Sequence, residues 1–423
     1  MGSAAFCIGS TAFQCLCSLC SSCGATKKVF SRIGYVMFAF IWILASIVFL
    51  FYGHYIFELP FSSFLGCEGD ENAKQACIGV SAVYRTSFTL TIFHVILFLL
   101  CLCGGELISK LNEGAWPAKF VFVLIIFVLT FFMSNGFFKI YGYCAMVASF
   151  FFIVYQMILL IGMAYSWNEN WVGKIDNSQG CSERCWAVII ITGTVVCYGG
   201  GITVYVLLYL YRANSTADYL VISLPVVAAG IYTGLTVSPF VEGGSVFTCS
   251  LLFLFGSFLT SSIQFAIYKG TSSSLLTLQI IIGLAFMFFV LFYAGSQTIK
   301  ADPAPGAQES APAQQVANKA VEVVAEKEEG AAGEKFTSQD KEDEAPEVTL
   351  KTAMFHLLMA FASLYYSMVI SNWGAPNING SQPDDFSSPY LGYAAMLSGQ
   401  WVGILFFIWS LIAPRICPDR EFK

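Results

Sequence analysis

The chain has 423 residues, of which 57% are hydrophobic and 11% charged, against about 25% charged residues in soluble domains. Forty Phe and this composition exclude a soluble globular protein, and with no basic run beyond Lys27-Lys28 nothing points to nucleic acid. The formal charge of −6 is local in origin, because residues 301–350 hold twelve Asp/Glu against four Lys while the remainder is slightly basic.

In chain order, residues 4–20 are apolar and small but lack a basic region ahead of them, so no cleaved signal peptide is expected. Phe6 stands where a myristoylation pattern needs Ser or Thr. Cys15, Cys17, Cys20 and Cys23 crowd the region before the first apolar run. Thiolates at such spacing can bind zinc, and small apolar thiols can simply pack. Without a histidine nearby, and beside a membrane segment, reversible acylation is the favoured reading. No metal and no cofactor are expected.

Hydropathy predicts ten membrane spans: 33–57, 84–103, 118–138, 141–165, 187–211, 218–238, 246–268, 275–297, 352–371 and 394–413. The sixth is interrupted by Pro225, Gly230, Gly234 and Pro239. The fourth stands out. From Tyr141 to Tyr165 it holds 25 residues without charge or proline, with Gln156 its strongest polar interruption. As a helix this is roughly 37 Å, against a hydrocarbon core of ~30 Å, so tilt or protrusion must absorb the surplus. It ends in Trp167-Asn-Glu169-Asn-Trp171, an aromatic and polar collar that reads as an interfacial anchor.

Ten spans place both termini on one side. With that side cytoplasmic, sixteen Lys/Arg fall inside and five outside, as the positive-inside rule requires. The sequons at Asn214 and Asn379 then face outward as glycosylation candidates. Cys67 and Cys77 flank a polar loop on the same side, where a disulfide can persist. The organisation read from this is a cysteine-rich cytoplasmic N-terminus at 1–32, spans one to eight within 33–299, an acidic disordered cytoplasmic loop at 300–350, and two last spans with a short C-terminus at 351–423.

Ionisable and amide groups in spans are expensive in hydrocarbon and therefore candidates for function. Arg85 opens the second span, His94 lies in its middle, His356 lies early in the ninth, and His54 and Glu58 share a face of the first. Taken singly, each is better explained by snorkelling or by a hydrogen bond to a backbone carbonyl. Gly193, Gly199, Gly200 and Gly201 in span five, with Pro225, Gly230 and Gly234 in span six, indicate close packing or a deformable helix pair beside a groove. Ser257, Thr260, Ser261, Ser262 and Gln264 add polar groups that can line such a path. With no HExxH, phosphate loop or Gly-x-Ser-x-Gly, an enzyme is not expected.

Several stretches together resemble one family: Val83-Tyr-Arg85, Gly114-Ala-Trp-Pro-Ala-Lys119, Asn135-Gly-Phe-Phe138, Ser166-Trp-Asn-Glu-Asn-Trp-Val172, Phe355-His356, Ala362-Ser-Leu-Tyr365, Asn372-Trp373, Ile408-Trp-Ser-Leu-Ile-Ala-Pro414 and Pro418-Asp-Arg-Glu-Phe422. They resemble, in order, the serine incorporator family of ten-span eukaryotic membrane proteins. The resemblance implies an all-α polytopic membrane protein with two helical subdomains separated by a long diagonal fourth helix, and a lipid-accessible cleft between them. It also implies lipid handling: supply of serine to phosphatidylserine and sphingolipid synthesis, or phospholipid scrambling without ATP. The groove candidates are Arg85, Lys119, Asn135, Gln156, Ser261 and Gln264, and Trp373 joins the interfacial anchors. Alternatives are a small-solute (serine) transporter and a scaffold for lipid-synthesis enzymes. Expected partners are membrane phospholipids, such enzymes and further copies of the chain, in the plasma membrane or the endomembranes.

Overall fold

In hydrocarbon every backbone N–H and C=O must pair within the protein, which leaves the helix as the low-cost solution for apolar runs of this length. The computed structural model describes residues 27–65, 67, 71–177, 181–241, 243–267, 273–297, 345–373 and 389–416. Among these residues there are helices and no strand: α1 Lys27–Leu65, α2 Glu71–Cys103, α3 Glu106–Glu113, α4 Trp116–Thr130, α5 Asn135–Asp176, α6 Cys181–Tyr211, α7 Thr216–Val237, α8 Val246–Ile267, α9 Ser273–Gln297, α10 Ala345–Ile370 and α11 Pro389–Ile416. Nine are long and apolar enough to cross a bilayer, and the bent pair α3–α4 makes a tenth candidate.

The third predicted span differs most from the structure. Residues 118–138 are not one helix: α4 stops at Thr130, and a turn at 131–134 separates it from α5. The apolar run is broken there by Ser134-Asn135-Gly136, with Ser134 extended (φ −67, ψ 151) at the α5 N-cap. At its other end α4 meets α3 at 84°. That corner is built on Ala115 in the left-handed region (φ 57) with Pro117 in the first turn of α4, where the missing N–H costs nothing.

Helix α5 is 42 residues long, roughly 63 Å, so the predicted run 141–165 is only its middle. The collar Trp167–Trp171 continues the helix and does not end it. α5 packs against α2, α9 and α10 on one hand and α6, α8 and α11 on the other. Helices α1, α2, α4 and α10 pack among themselves, as do α6, α7, α8 and α11, and α9 touches α1, α8 and α10. The long helix therefore stands between two helical groups.

Small residues set the closest approaches. A Cβ on Gly399 of α11 would lie 3.0 Å from Ile153 Cγ2, and one on Gly403 would collide with Met157 Sδ. The rising register shows that α5 and α11 run in the same direction. In α6, a Cβ on Gly201 would sit 2.6 Å from the Phe253 ring of α8. Gly230 and Gly234 of α7 have open space around the same position, so the close-packing reading holds for α6 and not for α7, which runs unbroken through Pro225.

Cys67 and Cys77 form a disulfide with Cα atoms 5.8 Å apart, joining the region after α1 to the start of α2. Cys15, Cys17, Cys20, Cys23, Asn379, residues 300–344 of the acidic segment, and the side chains of His54 and Glu58 lie outside the described residues. The last turn of the segment read as a loop, from Ala345, already belongs to α10.

Candidate functional site

Among the described residues, three buried polar groupings hold the sequence candidates Arg85, Asn135, His94, His356, Lys119 and Gln156. In the first, α2 places Ser81 and Arg85 one turn apart on one face. Arg85 is fully buried. Its Nη2 donates to Asn135 Oδ1 (2.9 Å) and to the Met133 carbonyl (3.2 Å), and its Nη1 donates to the Ser81 carbonyl (3.3 Å) and to Ser81 Oγ. Ser81 Oγ in turn donates to Asn135 Oδ1 (3.0 Å). The guanidinium lies 4.5 Å from the Phe138 ring centre and 5.8 Å from that of Phe131. Neutral dipoles and ring faces thus hold the charge. The Met133 carbonyl is available because α4 has stopped, so Arg85 fastens the α4–α5 break to α2.

The second grouping draws on α1, α2, α3, α4 and α10. Asn112 of α3 is its hub. Its backbone carbonyl accepts from Ser31 Oγ (3.0 Å), Tyr35 Oη (3.0 Å) and Lys119 Nζ (2.7 Å). Its Oδ1 meets Tyr35 Oη (3.0 Å) and His356 Nε2 (2.8 Å). An amide oxygen only accepts, so His356 carries its proton on Nε2 and presents a bare Nδ1. That atom lies 3.2 Å from His94 Nδ1, which must donate. The Lys119 ammonium sits 4.6 Å from the Tyr35 ring centre and 4.4 Å from that of Trp116.

The third follows α5. Gln156 is fully buried, and neither its amide oxygen nor its nitrogen has a hydrogen-bond partner. The register of Gly399 and Gly403 against Ile153 and Met157 puts Gln400 of α11 at the same level. Gln400 Nε2 donates to the Gly256 carbonyl (3.1 Å) and to Thr260 Oγ1 (3.0 Å) of α8, and its Oε1 is unpartnered. Gln264 Oε1, also on α8, is unpartnered too. A buried polar atom left unpaired costs about 1–3 kcal/mol.

The sequence candidates therefore do not form one lining. Arg85 and Asn135 bond directly, Lys119 belongs with the histidines, and Gln156 stands in the α5 seam. The hydroxyls of α8 turn back on their own helix: Ser257 donates to the Leu254 carbonyl (2.7 Å), and Ser261 and Ser262 to that of Phe258 (2.9 and 3.0 Å). Ser261 and Ser262 also meet Gln279 of α9. These groups are paired already, with their own helix or with α9.

Trp167 and Trp171 lie with ring centres 5.6 Å apart, on Phe289 of α9 and Phe247 of α8 respectively, and Glu169 beside them is exposed. Trp373, expected among the interfacial anchors, packs its ring inside the protein. It is 4% exposed, because left-handed backbone at Asn372 and Trp373 (φ 50 and 59) folds its ring against Gly392 of α11. Asn214 is exposed in the turn before α7, next to the Ser215–Asp218 capping box. Sequence reading singled out His94 and His356 separately and missed Asn112 and Tyr35. The available signal was a lone Asn in a short amphipathic stretch just before Gly114.

A family model described as serine incorporator (Serinc) matches residues 5–420. Curated relatives are similar along their whole length. A probable serine incorporator of Nematostella vectensis is 28% identical, over 96% of this chain and 94% of the relative. Serine incorporator 3 of Mus musculus is 25% identical over 97% of both chains. Serine incorporator 2 of Homo sapiens is 25% identical over 96% of this chain and 95% of its own.

Proposed function

This chain belongs to the serine incorporator family of membrane proteins, and on that premise we propose that it handles phospholipids, letting headgroups cross the bilayer along the seam between α5, α8 and α11. The observation that carries this reading is the set of unpaired amide atoms on Gln156, Gln264 and Gln400. In a closed seam these atoms are a cost, and in an opened one they become hydrogen-bond partners for a passing headgroup. The acyl tails stay in the membrane, so no bond is made or broken and no nucleotide is consumed.

The two groups of helices on either side of α5 supply parts that can separate. In this reading both termini are cytoplasmic, the collar at Trp167–Trp171 marks the cytoplasmic end of α5, and Asn214 is available for glycosylation outside. The link to serine incorporation follows from the family name and is part of the same proposal.

The test is reconstitution into vesicles carrying tail-labelled fluorescent phosphatidylcholine, with dithionite added outside. Active protein bleaches well beyond the half that the outer leaflet contributes. Bleaching that stops at half, in vesicles shown to contain the protein, overturns the proposal. Saturable serine uptake in those same vesicles would mark a solute carrier instead.

A further inference from the structure

Helix α3 is bracketed by two tight corners. At its start Gly104 and Gly105 have positive φ (68 and 111), and nothing lies within 4 Å of a Cβ on either, so the backbone conformation and not packing calls for glycine. At its end Ala115 sits in the left-handed region (φ 57), and α4 leaves at 84°. The helix between them runs across the direction of α4, at the bilayer face where α2 ends and α4 begins. We propose that α3 is a lipid-binding helix of the membrane interface, docked on the phospholipids of that leaflet through Leu107 and Leu111. The proposal does not depend on lipid crossing along the α5 seam.

Asn112 fixes which way α3 faces. It is 9% exposed, and its two oxygens take donors from α1, α4 and α10, so its side of the helix is turned to the protein. At 3.6 residues per turn, Leu107 and Leu111 lie one above the other, roughly 100–140° round from Asn112. Leu107 is 80% exposed and Leu111 40% exposed. Ser109 is two residues from each leucine, about 200° round, and is exposed as well. The eight residues of α3 therefore present three sides: a buried amide, an outward apolar pair, and a polar side opposite that pair.

What covers the leucines follows from the chain on either side of them. Leu99 and Leu102, before the first corner, are exposed on α2, and Phe120 and Val121, after the second, are exposed on α4. Both stretches belong to the apolar, membrane-crossing part of the chain. Leu107 and Leu111 thus stand between two lipid-facing surfaces, at the level where both helices meet the headgroups. An amphipathic helix in this position lies in the plane of the interface, with its apolar side about 5–10 Å into the boundary between headgroups and acyl chains. The ligand class is the glycerophospholipid leaflet itself, met at the acyl chains and not at one particular headgroup.

The experiment places the photoreactive residue p-benzoylphenylalanine (Bpa) at one position at a time in the full-length chain, as Leu107→Bpa, Leu111→Bpa and Ser109→Bpa. Each variant is reconstituted into dioleoyl-phosphatidylcholine vesicles, irradiated and read by intact mass. All three positions are exposed, so the fold tolerates the change, and the two leucine positions report independently if one variant is lost. A phosphatidylcholine adduct is expected at 107 and 111, at several times the yield at 109, with fragmentation placing the new bond on an acyl chain. The proposal is overturned if neither leucine position gives a lipid adduct, or if the product there is a covalent dimer of the chain. It is equally overturned if position 109 labels as strongly as 107, which would put the whole of α3 inside the hydrocarbon. Lipid equilibration measured in the same vesicles reads the α5 seam separately, and either result can fail alone.

Discussion

His94 and His356 are 262 residues apart in the chain and meet Nδ1 to Nδ1 at 3.2 Å between α2 and α10. The pair is ordered from one end: Asn112 accepts from His356, which accepts from His94. His94 Nε2 then has no partner.

This chain of roles makes the two histidines interdependent. His356→Leu strands the His94 donor and leaves the Asn112 side-chain oxygen with Tyr35 Oη alone, and should lower stability by about 1–3 kcal/mol. His94→Leu removes a residue with one bond and one unpaired atom, and should cost less. A double-mutant cycle by thermal melting in detergent should return a coupling of about 0.5–3 kcal/mol. Additive single effects would show that the 3.2 Å approach carries no energy.

Arg85 tests whether the α4–α5 break is held by a fork of donors. Arg85→Met takes the Arg85 donor from the Met133 carbonyl and from Asn135 Oδ1, which keeps Ser81 Oγ, beside a buried turn. Loss of a monodisperse peak in size-exclusion chromatography, or a melting point lower by many degrees, is expected. Arg85→Lys keeps the charge but cannot reach both acceptors from a planar head, so it should fall between the two. A lysine variant indistinguishable from wild type would refute the fork.

Gln156→Leu should separate stability from activity. It replaces two unpaired amide atoms with apolar ones of similar volume, which stabilises a buried site. The melting point should rise, and the rate of lipid equilibration should fall at least several-fold. A variant that melts higher and works as fast would detach Gln156 from the proposed path.

The glycines of α6 and α7 predict opposite outcomes. Gly201→Ala pushes a methyl group into Phe253, with an overpacking cost of about 1–3 kcal/mol. Gly230→Ala meets open space on a helix and should stabilise by roughly 0.5–1 kcal/mol. Melting curves of the two single variants check this directly.

Much of the architecture was legible in the chain because apolar length is a strong signal in a membrane protein. The fourth span stood out as overlong, and the structure extends it at both ends. The break after Thr130 was not seen, because Phe131, Phe132 and Met133 keep the hydropathy high through a turn whose only local sign is Ser134-Asn135-Gly136. The site was less legible. Arg85, Asn135, His94 and His356 each drew attention as costly groups in hydrocarbon, but hydropathy holds no information on which of them meet. The burial of Trp373 was not legible for a related reason: a Trp at the end of a span is ordinarily exposed, and left-handed backbone at Asn372 and Trp373 turns this one inward.

The early stop of α4 also has a consequence outside the protein. Its 15 residues rise about 22 Å, and its outer face, with Val121, Phe122, Leu124, Ile125, Val128 and Leu129 exposed, is apolar. Lipids along that face meet a hydrophobic belt shorter than the ~30 Å core of an undisturbed bilayer. Mismatch of this kind costs fractions of a kcal/mol per Å and is relieved by local thinning. The two leaflets are therefore expected to draw together beside α4, and a higher melting point in vesicles of shorter-chain lipids would check it.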